Sequence, residues 1–424
     1  MPKVAIVGSG IAGLAAARAL CTRARVTVLE AAPTPGGHVV TITAPSRHGP
    51  LAVDMGFIVC NRERYPHFFA MLEELDVPTR ATAMSFSVSL PDRDLEWGSS
   101  SLGAMFADRR SLFRPGHWRF LVEVMRLLQR GQRDLARGAC ADLSLDEYLA
   151  RARVPAEVRD GFVIPLAAAL WSLAPERCGA FPAETYLSFL EQHGMLRVVR
   201  PLAWRTIVGG SQRYLDALLA HLGARGVEVR TGAAVQRVHR HRDGVTLEQG
   251  GAELAFDRVI VATHADTALA LLAEPTEEER ALLGAFGYSK NRTVLHSDER
   301  FLPRQRRAHA SWNYVSDRDL SRVAVTYSMN HLQGHPADTP LLVTLNPRHP
   351  IAPDRVLHQA DFTHPQFDAA ALRAQRRLRQ LGGVRHTYYA GAHFGFGFHE
   401  DGMRSGIDAA ALLLRELAAS GGAS

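Results

Sequence analysis

Hydrophobic residues fall along this chain in short β-branched runs, broken by glycine turns and by alanine- or leucine-rich stretches of helical spacing. The first run, Lys3 to Val7, has strand length and leads into Gly8-Ser9-Gly10-Ile11-Ala12-Gly13. An apolar, alanine-rich helix follows from Leu14 to Leu20, and Val26 to Leu29 is a second β-branched run closed by Glu30. The order strand, glycine loop, helix, strand is complete within about thirty residues. Val39 to Thr43 reads as a strand after Pro35-Gly36-Gly37-His38. Phe120 to Leu128 belongs to an amphipathic helix ringed by Arg110, Arg114, Arg119, Arg126, Arg130 and Arg133. Phe162 to Trp171 reads as a buried helix or a pocket wall, and Gly209-Gly210-Ser211 opens a helix from Arg213 to Leu222. Gly226 to Val229, Gly232 to Val238, Gly244 to Gln249 and Val259 to Thr263 read as strands. Val325 to Met329 and Leu341 to Leu345 read as strands of a second sheet. His386 to Ala390 is the last strand, and a final apolar helix runs from about Met403 to Leu417.

Composition narrows the class. At about 150 residues per domain, 424 residues make two or three domains. A content of 46% hydrophobic and 22% charged residues excludes disordered, collagenous and fibrous chains. The longest apolar run, Phe162 to Trp171, contains Pro165 and is about half the length of a membrane-spanning helix. The net charge is +6, and lysine occurs only at Lys3 and Lys290. So lopsided a use of arginine reads as compositional bias, and no basic run interleaved with aromatics points to nucleic acid. Cys21, Cys60, Cys140 and Cys178 lie far apart and form no CxxC pair, which argues against zinc and against a disulfide framework. No metal site is expected. The first apolar run passes straight into the glycine loop, so it reads as structure rather than a signal peptide, and a cytoplasmic setting is expected. The arginine-rich helix leaves two readings open, a solvated basic face on a core or peripheral contact with the inner membrane face.

The glycine loop carries chemistry. Gly8 allows the tight turn out of the strand, Gly10 allows backbone to approach a pyrophosphate, and Gly13 allows helix and strand to pack closely. The helix start offers free N–H groups and a positive dipole end to phosphates. Glu30 closes the second strand, where a carboxylate can accept both hydroxyls of an adenosine ribose. Gly36-Gly37 suggests a second close approach to the same ligand, or a plain turn.

With these motifs the chain resembles the FAD-dependent flavin amine oxidase and phytoene-desaturase superfamily. The likeness rests on Val4 to Glu30 with Gly36-Gly37-His38, on Gly226 to His264, and on Tyr389-Ala390-Gly391 to Gly406. It is closer to a bacterial subgroup of amine-oxidase-like, NAD/FAD-binding proteins. There it is carried by Asp54-Met55-Gly56-Phe57-Ile58-Val59, Asn61, Tyr65-Pro66, Ala310 to Tyr314, Val325-Thr326-Tyr327, Met329-Asn330, Leu345-Asn346-Pro347 and Phe394 to Gly402. Members of that subgroup are often associated with genes for modifying acyl chains of lipids.

The resemblance implies an α/β fold, in which a discontinuous Rossmann-type FAD-binding domain is interleaved with an α+β substrate domain containing an antiparallel sheet. The FAD-binding domain would comprise residues 1–80, 205–270 and 385–424, and the substrate domain 81–204 and 271–384. Gly8, Gly10, Ile11, Ala12 and Gly13 would cradle the pyrophosphate and Glu30 the ribose. Gly37 and His38 would line the diphosphate and ribityl region, and the Val235 backbone would meet adenine. Met55, Gly56 and Phe57 would run beside the isoalloxazine ring, with Gly391 in the third motif. Asp401, Gly402 and Met403 would begin the last helix and aim its N-terminus at the flavin.

Two positions depart from the family pattern. Ala392 stands where relatives carry an acid for the ribityl chain, leaving His393, Glu400 or water to substitute. His38 stands where relatives often carry arginine, which implies a weaker, pH-dependent phosphate contact.

The implied chemistry is hydride transfer to flavin N5. Lys290 is a candidate for the lysine that many amine oxidases hold near N5, or else a surface residue. His399 is a candidate active-site neighbour, through ring stacking, hydrogen bonding or acid–base work. Phe394, Phe396, Phe398, Trp312, Tyr314 and Tyr327 could build an apolar channel or belong to the core. A small, apolar, lipid-like acyl substrate is therefore expected, to be oxidised or desaturated. Amine oxidation, FAD-dependent isomerisation without net redox, and flavin binding without turnover remain alternatives. The sequence sets no oligomeric state.

Overall fold

The computed structural model describes residues 1–171, 175–196, 202–316 and 323–421. Lys3–Val7 lies at the centre of a five-stranded parallel sheet. The strand order is Glu228–Arg230, Arg25–Leu29, Lys3–Val7, Arg258–Val261, Thr387–Tyr389. Three distant parts of the chain thus build one sheet. Val4, Ile6, Val26, Val28 and Ile260 are buried in it, as expected for strands covered on both faces.

The Ile11–Leu20 helix packs on this sheet, with Ala15, Ala16 and Ala17 buried. Its other side meets the last helix, His399–Gly421. Gly402 and Gly406, one turn apart, form that seam. A Cβ on Gly402 would lie 2.9 Å from the Ile11 side chain, and one on Gly406 would collide with the Ala12 carbonyl.

A seven-stranded sheet forms the second layer. Its order is Val356–Gln366, Gly287–His296, Leu342–Leu345, Val323–Ser328, Trp312–Ser316, Phe86–Leu90, Leu95–Gly98. Every pair is antiparallel except Trp312–Ser316 with Phe86–Leu90. Helices Pro115–Ala136, Leu145–Arg151, Ile164–Trp171 and Ala183–Gln192 pack beside it around Phe120, Leu127, Leu149, Val163 and Leu187. The architecture is α/β, a parallel sheet with helices joined to a largely antiparallel layer.

Several boundaries differ from the sequence reading. The last helix starts at His399 rather than near Met403 and continues past Leu417 to Gly421. The Asp401 carboxylate accepts the Phe396 and Phe398 N–H groups and so organises the turn into that helix. The early strand is Thr41–Ala44, because the Gly36-Gly37 turn occupies the preceding residues and Val39 returns its N–H to the Gly36 carbonyl. The arginine-rich helix packs on the core through Phe120, Val124 and Leu127.

Asp54 ties the layers together. Its buried carboxylate accepts Thr41 Oγ1 at 2.6 Å, Ser211 N at 2.9 and 3.0 Å, Ser211 Oγ at 3.0 Å and Gln333 Nε2 at 2.9 Å. Thr41 lies on the strand paired with Asp54's own, Ser211 precedes the Gln212–Gly223 helix, and Gln333 belongs to the Met329–Gln333 turn. Removing a buried acceptor strands its donors. Asp54→Ala is expected to lower unfolding stability by about 2–4 kcal/mol, read as an earlier urea midpoint.

Candidate cofactor and substrate site

The glycine loop builds an open cradle. Gly8 has φ +103°, and a Cβ there would lie 2.8 Å from the Ala262 carbonyl oxygen. Gly13 abuts the Gly8 carbonyl, so helix and loop touch through backbone. Gly10 is the contrast: a Cβ there would meet nothing within 4 Å. The loop therefore presents backbone to open space, and the first-turn N–H groups of Ile11, Ala12 and Gly13 lie beyond the reach of intrahelical acceptors. Across from it, Gly37 has φ +59° and would place a Cβ 3.2 Å from Gly10 Cα.

Glu30 stands beside this cradle. Its carboxylate accepts Ser9 N at 2.8 Å, Ser9 Oγ at 2.6 Å and Ala32 N at 2.8 Å. A carboxylate has about four acceptor sites, so capacity remains for a hydroxyl donor. The Gly232 and Ala233 N–H groups bond the Ala32 and Glu30 carbonyls, which brings Val235, at the start of the Val235–Arg240 strand, near the same end. An open backbone nest at a helix start, next to a carboxylate with spare acceptor capacity, fits a dinucleotide such as FAD.

The Met55–Phe57 segment runs along His38. Met55 N donates to the Val40 carbonyl and Phe57 N to the His38 carbonyl, and Gly56 leaves no space for a Cβ against that carbonyl. Met55 and Met403 are buried. Gly391 N donates to Ser405 Oγ at 2.9 Å, joining the third motif to the last helix.

His399 sits among rings. It stacks on Phe57 at 3.9 Å and 13° and meets Phe68 edge-on at 5.1 Å. Its Nε2 is 2.6 Å from Tyr214 Oη. The sequence reading missed Tyr214, which arrives from the Gln212–Gly223 helix. It also missed His264 and His364, whose rings lie 6.2 and 5.6 Å from His38. Tyr288 stacks on His264 at 4.4 Å, and Asn291 Nδ2 meets His364 Nδ1 at 2.8 Å. One signal for His264 was available. It lies just beyond the C-terminal end of a parallel strand, where ligands of such sheets collect.

This cleft disfavours charge on histidine. Burial, with repulsion from His364 and His264, pulls His38 down to about 4. Burial and His264 pull His364 to about 4 and His393 to about 3, and burial and His38 pull His399 to about 3. His38 is thus a neutral ring against Phe362 at 5.3 Å and not a cation substituting for arginine.

Two expected roles meet obstacles in the geometry. Lys290 lies exposed on Gly287–His296, and strand alternation puts it on the face opposite buried Asn291 and Thr293. Glu400 accepts His67 N, His67 Nδ1 and Phe68 N, so it caps the Pro66–Glu74 helix rather than reaching toward a ribityl chain. His393 Nε2, by contrast, is buried without a hydrogen-bond partner among the described residues.

These depressed histidines carry a pH consequence. Below the unperturbed value of about 6.5, the unfolded chain binds protons that the folded chain refuses, so stability falls with pH. Buried Asp54, pushed up to about 6 by burial, works in the opposite direction and offsets one histidine. The apoprotein's melting temperature is expected to fall between about pH 6.5 and 4 more steeply than one proton allows, as a pH series of thermal melts would show.

Comparison with known proteins places this geometry. The family described as flavin containing amine oxidoreductase matches residues 11–349. Relatives from two Mycobacterium tuberculosis strains, each named "Putative flavin-containing monoamine oxidase AofH", are 30% identical over 282 residues, covering 61% of this chain and 56% of theirs. The chain thus matches little more than half the length of these curated relatives. Among solved structures, wild-type putrescine oxidase bound to putrescine has a TM-score of 0.72 at 16% identity, covering 98% of this chain and 99% of that one. Cyclohexylamine oxidase from Brevibacterium oxydans IH-35A gives 0.70 at 15%, over 98% and 99%. A CLA-producing fatty acid isomerase from P. acnes gives 0.69 at 17%, over 98% of each chain. At these identities the structural likeness is one of fold. The family match extends through most of the chain, and the chain belongs to the flavin-containing amine oxidoreductase family, whose cofactor is FAD.

Proposed function

We propose that this chain is an FAD-dependent oxidoreductase acting on a lipid-like acyl substrate. The observation that carries the reading is an aromatic wall leading from the cleft into the helices. Phe398, next to His399, lies 4.9 Å from Phe189, and Phe189 lies 5.1 Å from Trp171. Trp171 continues to Phe181 at 4.5 Å and Tyr186 at 6.1 Å. At this far end Trp171 Nε1 and Tyr186 Oη are buried without hydrogen-bond partners among the described residues. Such groups cost stability unless something accepts from them. An indole N–H can only donate, so it suits a carbonyl or carboxylate oxygen and not an ammonium group. An apolar chain with a carbonyl end matches this wall, and the fatty acid isomerase shows that the fold also occurs in a protein named for a fatty acid.

The parallel-sheet unit, residues 1–80, 205–270 and 385–424, would hold FAD. The backbone of Gly8, Gly10, Ile11, Ala12 and Gly13 would face its diphosphate, with Gly37 opposite. Glu30 would accept from its ribose and Val235 would border its adenine. Met55, Gly56, Phe57, Gly391, Asp401, Gly402 and Met403 would border its ring and chain. When bound, FAD supplies the hydride acceptor at N5. His399, neutral and fixed between Phe57 and Tyr214, orients rather than exchanges protons. His393 Nε2 is free to take the polar contact that Ala392 cannot make. The rings of Phe396 and Phe398 exclude water.

Amine oxidation is the second reading, favoured by the names of the curated relatives and of two structural neighbours. Anaerobic titration of the holoprotein separates the two. Bleaching of the flavin absorbance by fatty-acyl lipids and not by amines is the expected outcome. Bleaching by amines alone would replace the proposal.

Gly10→Ala tests the cradle. Its Cβ meets no protein atom and its φ is −67°, so the apoprotein melt should be unchanged. FAD affinity should fall by about tenfold or more, the factor for about 1.4 kcal/mol, as fluorescence titration would show.

A further inference from the structure

Among the described residues, nine large apolar side chains are exposed, and five of them fall between positions 102 and 122. They are Leu102 at 76%, Leu112 at 41%, Phe113 at 87%, Trp118 at 50% and Val122 at 44% exposure. The three short segments that carry them are stitched into one surface. His117 Nε2 meets the Met105 carbonyl at 2.8 Å, Trp118 Nε1 donates to the Leu112 carbonyl at 3.0 Å, and the Phe106 and Trp118 rings lie 4.6 Å apart. Trp118 and Val122 are one turn apart on Pro115–Ala136 and share a side. The opposite side of the same helix, Phe120, Val124 and Leu127, is committed to the core. Both faces of this helix therefore carry apolar residues, and Trp118 and Val122 on the outer one stay exposed.

Charge around the patch is one-sided. Arg114 pairs with Asp94 and Arg126 with Glu123. The one further acid in this stretch, Asp108, accepts the Arg110 backbone N–H as a cap. Exposed Arg109, Arg110 and Arg119 make no ion pair among the described residues. A monomer rarely leaves an apolar patch of this kind without a use. Arginines beside an exposed phenylalanine and tryptophan match the acyl boundary and phosphate layer of a bilayer, where rings insert and guanidinium groups meet anionic headgroups. We propose that Leu102, Leu112, Phe113, Trp118 and Val122, rimmed by Arg109, Arg110 and Arg119, dock this protein on an anionic membrane surface. The docking is peripheral, since no helix among the described residues is long and apolar enough to cross a membrane. It does not depend on the acyl-substrate reading.

Sedimentation of the holoprotein with vesicles tests this, using phosphatidylcholine alone or mixed with phosphatidylglycerol. Wild type is expected to pellet with the mixed vesicles, and less so at high salt. The double variant Phe113→Ser with Trp118→Ser should lose about tenfold or more in binding, and Arg109→Glu with Arg110→Glu should also release it. Leu357→Ser, which removes an exposed apolar side chain elsewhere, should bind as wild type. An unchanged flavin spectrum and melting temperature would show that the variants fold. Absence of wild-type binding, or equal binding by the Phe113/Trp118 variant, would overturn the proposal. So would a concentration-dependent dimer, seen by sedimentation velocity, that the same variant abolishes, because the patch would then belong to a second copy.

Discussion

Close backbone packing around the Ile11–Leu20 helix is the constraint on which the rest depends. On one side Gly13 touches the Gly8 carbonyl, which fixes the loop against the helix start. On the other, Gly402 and Gly406 let the last helix lie against Ile11 and Ala12. Any side chain at these seams would push apart two elements that must converge. Because they converge, the cradle at Gly10 and the ring cluster at His399 become parts of one cleft. The glycines thus set a distance, and the chemistry follows from that distance.

Around the rings of His38 and His399, burial favours the neutral forms of the titratable rings. Histidines at 38, 364, 393 and 399 are all held far below their ordinary pKa. The titratable hydroxyls near them, Tyr214 and Tyr288, are shifted by burial the other way. A site of this kind recognises by shape, stacking and hydrogen bonds, because a charged partner would meet no counter-charge among these rings. That is the physical link between the histidine cluster and the aromatic wall ending at Trp171 and Tyr186.

Much of the glycine-loop geometry was legible in the sequence, because local chemistry dictates it. Gly8 and Gly13 are required by turn geometry and close approach, and Glu30 sits at a strand end that spacing fixes. The α/β class followed from the family resemblance that these motifs carry, and the parallel and antiparallel sheets bear it out. The substrate side was less legible, because it is assembled from distant segments. Tyr214 reaches His399 across 185 positions and His364 reaches Asn291 across 73, separations that no local pattern encodes. Lys290 was conspicuous as a rare residue type, but rarity says nothing about which face of a strand it occupies. Phe120 to Leu128 showed the correct helical period, yet period alone did not say which apolar residues were left over. Phe113 and Trp118 lie just outside that window.

The central proposal is that this glycine-packed site holds FAD with its reactive ring beside the Met55–Phe57 segment, next to the stacked Phe57 and His399 pair. A crystal structure of the holoprotein tests it most directly. The expected density has the diphosphate against the Ile11–Gly13 N–H groups, a ribose at Glu30 and the isoalloxazine beside Met55–Phe57. A protein that takes up no FAD at saturating concentration, or density that places the ring away from His399, would contradict it.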